Sequence, residues 1–388
     1  MRILFFLSIS LALFAKSTVC LNMIVRNESE VIERCLKSAI PLIDSWVIVD
    51  TGSTDGTQTL IRKVMQGIPG ELHERPWVDF AHNRQEALDL AKDKADYLLF
   101  IDADEEFQYA ENFSWPELDF EVYYFTMREQ KGIDNLRPSL INTSLPWKWR
   151  GVLHETLNME IVKKAAILPT IVTFVPDYAP SGRSKLPGNK YARDAQVLEK
   201  AVEKEPENSR YVYYLAQSYL LSGNLPKALE NYSRRCEMQS EDIPETFYAL
   251  YYRAKVKEMM NDLEGAILAY AKAYAFRPMR AEPLFRSAVC YRRLGNPQIG
   301  YFFAKEALAL PTPVDHSIEK TVYDYERQVE LANCAMMTGR WQEGFDLTTA
   351  LLANPVVPSA LHHELTGNRS VAKTQLLLLQ EKAEAQRE

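Results

Sequence analysis

Short apolar runs alternate with amphipathic segments through the first half of the chain. The runs Thr18–Val25, Ser45–Asp50 and Tyr97–Ile101 predict strands that are buried on both faces. Between them, the spacing of apolar residues predicts helices, among them Glu30–Ala39 and Asn83–Ala91. Such alternation of strand and helix is typical of an α/β domain with a largely parallel, Rossmann-like sheet.

Two further strands are predicted before the pattern changes, at Glu121–Thr126 and Ile167–Phe174. The segment Asp177–Asn189 then holds two Pro, two Gly and several polar residues, which makes it the best candidate for a domain boundary. We therefore place the first domain at residues 18–185.

The second half, from Tyr191 onward, shows helical periodicity that repeats along the chain. Small residues recur after intervals of 38 and 34 residues, at Ala228, Ala266 and Gly300, and small residues let two antiparallel helices approach closely. This all-α pattern resembles tetratricopeptide (TPR) repeats. We place TPR-like helical repeats at residues 190–369 and a C-terminal helix or tail at 370–388.

Length and charge restrict the function classes. A chain of 388 residues predicts two domains, and 47% hydrophobic residues are enough for packed cores. The formal charge of −7 argues against a broad nucleic-acid surface. The five cysteines are widely spaced and odd in number, which predicts free buried thiols rather than a disulfide framework.

The N-terminus allows two interpretations. Arg2 precedes the apolar segment Ile3–Ala15, which has the form of a short signal peptide. The first predicted strand begins almost at once, which favours a hydrophobic extension instead. Residues 1–17 are therefore a signal-like or hydrophobic extension, and localisation stays open between a cytoplasmic or membrane-associated protein and an exported one.

Four carboxylates follow the apolar run Tyr97–Ile101, in the stretch Asp102-Ala103-Asp104-Glu105-Glu106. In an extended chain, residues two apart point to one side, so Asp102 and Asp104 can face one site. Hard oxygen ligands suit Mg²⁺ or Mn²⁺, whose remaining ligands are commonly phosphate oxygens. The alternative is an acidic helix N-terminus, where the helix dipole favours carboxylates.

Polar residues follow three predicted strands, at Arg26–Glu28, Asp50–Asp55 and Asp102–Asp104. Ligands of parallel sheets bind beyond the carboxyl ends of the strands, so these three segments are expected to converge. The second segment is a glycine turn that leads into a helix, an arrangement that offers backbone N–H groups to an anionic ligand.

These segments carry a family resemblance. The chain resembles a family 2 glycosyltransferase of the GT-A fold over roughly residues 18–180. The matching motifs, in order, are Met23-Ile24-Val25-Arg26-Asn27-Glu28, Val47–Thr57, Trp77-Val78-Asp79-Phe80-Ala81 with Arg84, Phe100–Glu105 and Trp149–Glu155.

The resemblance implies a role for each motif. The metal, Mn²⁺ or Mg²⁺, would be bound by Asp102 and Asp104. Our hypothesis is that His154 completes the shell of the metal or of the diphosphate. The nucleotide-sugar donor would be bound by Arg26, Glu28, Asp50, Gly52, Asp55, Arg84 and Asp102. Two of these have structural alternatives, since Asp55 could cap the following helix and Arg84 could be a surface residue of its own helix.

An inverting transferase also needs a base opposite the leaving group. His154 and Glu155 are the catalytic candidates, and because adjacent residues point in opposite directions they should have different roles. We assign the base to Glu155, with the exchanged roles as an alternative and Asp104 or Glu105 as a third option. Trp147 and Trp149 could stack on a sugar or pack a lid.

The predicted function is metal-dependent, inverting transfer of a sugar from a nucleotide-sugar donor. Asp50 suggests a uridine nucleotide, hence a UDP-sugar. The acceptor would be a protein, peptide or glycan bound with help of the repeats, which could also bind a protein partner. The alternative is a protein-binding TPR scaffold whose glycosyltransferase domain is catalytically silent. A nucleotidyltransferase would carry an early basic glycine-rich loop, which Arg26-Asn27-Glu28 does not provide.

Overall fold

The computed structural model describes residues 16–129, 134–176, 188–240, 242–313 and 318–387. The chain divides into two compact units between Gly188 and Asn189. Residues 1–15 of the predicted N-terminal extension lie outside the described residues, and so do residues 177–187 of the predicted boundary segment.

The first unit contains ten strands and three α-helices among its described residues. In chain order they are β1 Val19–Val25, α1 Ile32–Ala39, β2 Ser45–Asp50, α2 Thr57–Val64, β3 Gly70–Glu74, α3 Phe80–Ala91, β4 Tyr97–Phe100, β5 Glu106–Tyr109, β6 Val122–Glu129, β7 Asp134–Asn142, β8 Trp149–Arg150, β9 Thr156–Leu157 and β10 Ala165–Val175.

Eight of these strands form one sheet, in the order β3-β2-β1-β4-β7-β6-β10-β5, while β8 and β9 form a separate hairpin. Strands β3, β2, β1 and β4 are mutually parallel, and β10 is parallel to β6. Strand β7 is antiparallel to both neighbours, and β5 is antiparallel to β10. The predicted α/β domain with a mostly parallel sheet is therefore confirmed, with β5 and β7 as its antiparallel members.

The central strand β1 is covered on both faces. Val19, Leu21 and Met23 share a core cluster with residues of α1, while Cys20 belongs to a second cluster that includes Leu88 of α3. The polar side chain on the α3 side is also satisfied, since Asn22 Nδ2 donates to the Ala87 carbonyl over 2.8 Å. Full burial of such apolar side chains contributes about 1.5–3 kcal/mol each. This two-sided burial holds the strand ends, and thus the site, in place.

The second unit is all-α in its described residues. Its helices are α4 Lys190–Lys204, α5 Ser209–Leu221, α6 Leu225–Glu237, α7 Ile243–Met259, α8 Leu263–Phe276, α9 Glu282–Arg293, α10 Pro297–Ala309, α11 Arg327–Met337, α12 Trp341–Ala353 and α13 Ser359–Ala385, with a π-helical segment Val322–Glu326 before α11. The predicted helical repeats are confirmed. The predicted C-terminal segment 370–388 continues α13 without a break as far as Ala385.

Each repeat joins two helices through a turn with one left-handed residue. The positions are Gly223, Asn261, Gly295 and Gly339, with φ between 63° and 85°. Five residues later stands the small residue of the second helix, and Ala228 and Ala266 are fully buried. At Gly300, a methyl group would lie 3.0 Å from Cys334 Sγ and 3.1 Å from the Ala288 carbonyl oxygen, so a larger residue would require these neighbours to shift.

Tyrosine rings connect four consecutive helices of the second unit. Tyr213 of α5 contacts Tyr232 of α6 at 6.0 Å between ring centroids, and Tyr232 stacks on Tyr252 of α7 at 5.9 Å. Tyr251 of α7 continues the series to Tyr270 of α8 at 5.7 Å. Tyr213, Tyr232, Tyr251 and Tyr270 are buried, so the series lies in the core of the second unit.

All five cysteines are free, and four of them are buried while Cys236 is half-buried. Within the described part of the chain, we found no helix long and apolar enough to cross a membrane.

Candidate active site

Asp50 lies at the carboxyl end of β2, with no exposed surface. Its Oδ1 accepts hydrogen bonds from the backbone N–H groups of Gly52 and Ser53, at 2.9 and 2.7 Å, and from Gln58 Nε2 at 3.2 Å. Gly52 has φ 104°, which an L side chain rarely adopts. Oδ2 is buried and has no hydrogen-bond partner among the described residues. A buried carboxylate oxygen without a hydrogen-bond donor is unusual in a folded protein.

The Arg26–Glu28 loop and the glycine turn are joined by hydrogen bonds. Asn27 N–H donates to Ser53 Oγ over 2.8 Å, and Asn27 Oδ1 accepts from Thr54 N–H over 2.9 Å. Glu28 N–H donates to Thr57 Oγ1 over 2.9 Å. Arg26 itself is exposed. The two predicted donor segments therefore form one structural element.

Asp55 is exposed, and its carboxylate also hydrogen-bonds between the loop after β1 and the start of α2. It accepts from Ser29 N–H at 3.0 Å, from Thr57 N–H at 3.1 Å and from Thr57 Oγ1 at 2.6 Å. Although partial burial acts to raise it, these hydrogen bonds lower the pKa of Asp55 to about 2. Asp55 therefore organises the start of α2 through Thr57, although the helix N-cap is Gly56 and has no side-chain cap.

Arg84 of α3 joins two of the predicted site motifs. Its Nη2 donates to Asp102 Oδ1 and its Nε to Glu155 Oε1, both over 2.6 Å. The side chain is only 12% exposed, so the surface-residue alternative is wrong. Burial alone would lower the pKa of Arg84, but the charges of Asp102 and Glu155 raise it above its ordinary value, so the guanidinium stays protonated.

A second arginine, Arg137 of β7, reaches the same acidic stretch. Its two Nη atoms contact the two carboxylate oxygens of Glu105 at 2.7 and 2.5 Å, and Nη1 lies 3.6 Å from Asp102 Oδ2. Burial acts to raise the pKa of Asp102, but Arg84 and Arg137 together hold it below its usual value. Glu105 is 4% exposed with both oxygens engaged, which argues against it as the base.

The strand register places Asp50 and Asp102 on opposite sides of β1. Val25 pairs with Asp50 on one side, and Asn22 pairs with Phe100 on the other, two residues before Asp102. Strands β2 and β4 are thus two inter-strand spacings apart, roughly 10 Å. The strand ends therefore converge on one edge of the sheet, as predicted.

The loop that carries Glu155 is fastened to α3. Trp149 N–H donates to Gln85 Oε1 over 2.9 Å, and the Arg84 guanidinium lies 5.3 Å from the centroid of the Trp149 ring. Gly151 has φ 105°, and a Cβ there would lie 3.3 Å from Glu155 Cα. Trp147 is 3% exposed and donates through Nε1 to the Asn142 carbonyl, so it packs in the core.

The metal ligands are only partly brought together. Asp104 is exposed by its surface area. Even so, the protein atoms around its carboxyl group desolvate it, and this desolvation and the neighbouring Asp102 charge raise its pKa. His154 is exposed and has φ 53°. No group of three or more His, Cys, Asp or Glu side chains with metal-site geometry occurs among the residues described. Asp102, Asp104 and His154 therefore stay candidate ligands, and a divalent cation held by Asp102 and Asp104 would need further ligands from substrate and water.

Arg137 is the site residue that the sequence did not indicate. It lies in a strand of mixed polarity, β7, which was not predicted, and its partner Glu105 is 32 residues away. One indirect indication was present in the sequence. The four carboxylates between Asp102 and Glu106 repel one another and therefore require cationic partners.

Comparisons with known proteins agree with the division of the chain into two units. A family model described as "Glycosyl transferase family 2" matches residues 20–111. The predicted resemblance is confirmed for this segment, which contains every donor and metal candidate except His154. A TPR repeat-containing protein of Synechococcus elongatus is 27% identical over 320 residues, covering 76% of this chain and 76% of the relative.

Solved TPR structures are also similar to this chain. A tetratricopeptide repeat protein from Parabacteroides merdae has 18% identity and a TM-score of 0.38, covering 48% of this chain and 67% of its own. YrrB, described as "a TPR protein with an unusual peptide-binding site", has 17% identity and a TM-score of 0.37, with coverages of 46% and 84%. TM-scores this low carry no argument, so the repeat architecture rests on the helix pairs themselves.

Proposed function

We propose that this chain is a metal-dependent, inverting glycosyltransferase that uses a nucleotide-sugar donor. The observation that carries the proposal is the guanidinium of Arg84, which contacts both Asp102 and Glu155 at 2.6 Å. It links the acidic motif expected to face the diphosphate with the carboxylate expected to take the acceptor's proton. The family match over residues 20–111 supports a glycosyltransferase in general.

The donor's base and phosphates have separate contacts in this proposal. The unpartnered Oδ2 of Asp50 accepts a hydrogen bond from an N–H of the base, which a pyrimidine such as uracil offers. Arg26 and Glu28 line the ribose side, since their loop is joined to the Asp50 turn. The diphosphate lies about two strand spacings away, towards Asp102.

Asp102 and Asp104 would hold Mn²⁺ or Mg²⁺, which when bound supplies a Lewis acid for the diphosphate leaving group. Arg84 would also contact the diphosphate, from the same side of the site. Its two carboxylate contacts are each single hydrogen bonds, so the guanidinium can exchange one of them for a phosphate oxygen.

Glu155 is the proposed base. Its carboxylate would accept the proton of the attacking acceptor hydroxyl, and Arg84 orients it. The side chain is 13% exposed, so it is reachable yet restrained. The acceptor, a protein, peptide or glycan, would be bound with help of the helical repeats, which present an extended surface.

The experiment is incubation of the full chain with a panel of nucleotide sugars and Mn²⁺ or Mg²⁺, scoring release of nucleoside diphosphate. Calorimetry of nucleotide binding with and without metal runs in parallel. We expect release with at least one donor and metal-dependent binding. The matched pair is Asp104→Asn and Glu111→Gln, an exposed acid outside the motif, of which only the first should reduce both signals.

The alternative scaffold function predicts the opposite result. A TPR scaffold with a silent transferase domain would release no diphosphate from any donor and would bind nucleotide without regard to metal. That outcome would replace the transferase proposal. If a product forms, proton NMR of its anomeric configuration tests the inverting assignment, and retention would contradict it.

A further inference from the structure

The acidic turn after β4 is closed by two reciprocal hydrogen bonds. Glu105 N–H donates to the Asp102 carbonyl over 3.0 Å, and Asp102 N–H donates to Glu105 Oε2 over 3.1 Å. The Glu105 carboxylate therefore holds the backbone of Asp102, from which the predicted metal-facing carboxylate projects. A change at Glu105 is transmitted directly to Asp102.

Glu105 is itself held by a neighbouring strand. Arg137 contacts both of its oxygens, at 2.7 and 2.5 Å, in the two-pronged geometry that makes arginine–carboxylate pairs strong and directional. Strand β7, which carries Arg137, pairs directly with β4 through Leu99 and Leu140. The guanidinium is thus supplied by the strand next to the site.

The two arginines around Asp102 are held differently. Arg84 makes one hydrogen bond to each of two carboxylates, whereas Arg137 is locked on one carboxylate that is 4% exposed. Arg137 lies 3.6 Å from Asp102 Oδ2, too far for a hydrogen bond but close enough to orient the carboxylate by charge. Arg84 can therefore exchange one carboxylate for another partner, whereas Arg137 stays bound to Glu105.

We propose that Arg137 and Glu105 form a positioning pair, which sets the orientation of Asp102 towards a divalent cation. This inference rests on the proposed function, because it assigns the pair to the same donor site. Neither residue takes or gives a proton. Outer-shell partners of this kind typically contribute 10- to 100-fold in metal affinity.

The test measures metal binding rather than turnover. Mn²⁺ is titrated into the full chain with a saturating nucleoside diphosphate, and the half-saturation concentration is read by electron paramagnetic resonance of free Mn²⁺. Arg137→Lys keeps the charge but loses the two-pronged contact. We expect its half-saturation concentration to rise about 10- to 100-fold, while nucleotide affinity without metal stays unchanged.

Two further variants make the result specific. Glu105→Gln removes the other half of the pair and should give a similar rise, so it carries the test if Arg137→Lys fails to fold. Arg75→Lys is the matched control, since Arg75 pairs with Glu86 at 3.5 Å in the same unit and should leave the titration unchanged.

The inference and the proposed function can fail separately. If wild type shows no metal-dependent nucleotide binding, the proposed function is wrong. If wild type binds metal and both variants match it, only the positioning pair is wrong. The pair is also refuted if both variants lose nucleotide binding without metal, because its role would then be general to the fold.

Discussion

Arg84 Nε donates to Glu155 Oε1 over 2.6 Å, across 71 positions of the chain. The contact fastens the loop after β8 to helix α3. Since the same guanidinium also holds Asp102, a substrate that draws Arg84 away from one carboxylate changes the environment of the other. The leaving-group side and the base side of the proposed site are thus coupled through one side chain.

Glu155→Gln should abolish transfer and spare donor binding. Glutamine keeps an oxygen that can accept from Arg84 Nε, so the loop stays fastened, but it cannot act as the base. We expect turnover to fall about 10²- to 10⁴-fold with nucleotide affinity within a few-fold of wild type. Diphosphate release and calorimetry measure the two effects.

The control for Glu155 is Glu160→Gln. Glu160 is an exposed residue of the same region that pairs with Arg150 at 3.0 Å, and its loss should leave turnover unchanged. Full turnover in Glu155→Gln would transfer the base role to His154, the exchanged assignment.

Asp50→Asn should weaken nucleotide binding without unfolding the turn. The asparagine oxygen can still accept from Gly52 and Ser53, while its amide replaces the unpartnered oxygen by a donor. Loss of a hydrogen bond to a charged group predicts about 10- to 100-fold weaker binding of a uridine nucleotide, read by calorimetry. The exposed Asp93→Asn serves as control, and equal affinity of both variants would refute the base contact.

Asp55 makes acid stability a test of its structural role. Its pKa of about 2 in the folded chain lies below the unfolded value of about 3.9. Its contribution is therefore fully present above pH 4 and is lost as the pH falls towards 2. In thermal unfolding between pH 5 and 2, wild type should lose more stability than Asp55→Asn. Parallel curves would contradict this role.

Glu245 should be essential for the stability of the second unit. It pairs at 2.9 Å with Arg235, whose side chain has no exposed surface. Glu245→Ala leaves that charge buried and uncompensated, which costs about 3–5 kcal/mol. Hydrogen exchange of α6 and α7 measures the loss, with the exposed Glu264→Ala as control. Replacing both partners by methionine should restore most of the protection, and a failure to do so would point to another cause.

The strands that were predictable from sequence are those buried on both faces. Tyr97–Ile101 and Ser45–Asp50 are apolar runs, and β4 and β2 lie within one residue of them. Strand β3 was missed because Leu72 is its only large apolar residue and it lies at the edge of the sheet. Strand β7 was missed because it contains Arg137, Pro138 and Ser139, a pattern set by its neighbours rather than by its own periodicity.

The sequence was enough to predict where the candidate site lies, but not which arginine contacts which carboxylate within it. Parallel topology alone brings Asp50 and Asp102 to one edge of the sheet. Which cation meets which carboxylate depends on contacts between distant segments, such as Arg84 with Glu155 and Arg137 with Glu105. No local pattern in the sequence encodes those partners. Nor does any local pattern show whether Asp55 binds the donor or only stabilises the turn before α2.

The tyrosine series of the second unit has a consequence for how that unit unfolds. Because Tyr232 stacks on Tyr252 and Tyr251 contacts Tyr270, opening one helix pair removes ring contacts from the next. Aromatic pairs add about 0.5–1.5 kcal/mol beyond area burial, which strengthens the nearest-neighbour coupling of a repeat array. Helices α5–α8 should therefore lose structure as one cooperative block, with fraying confined to helices outside it.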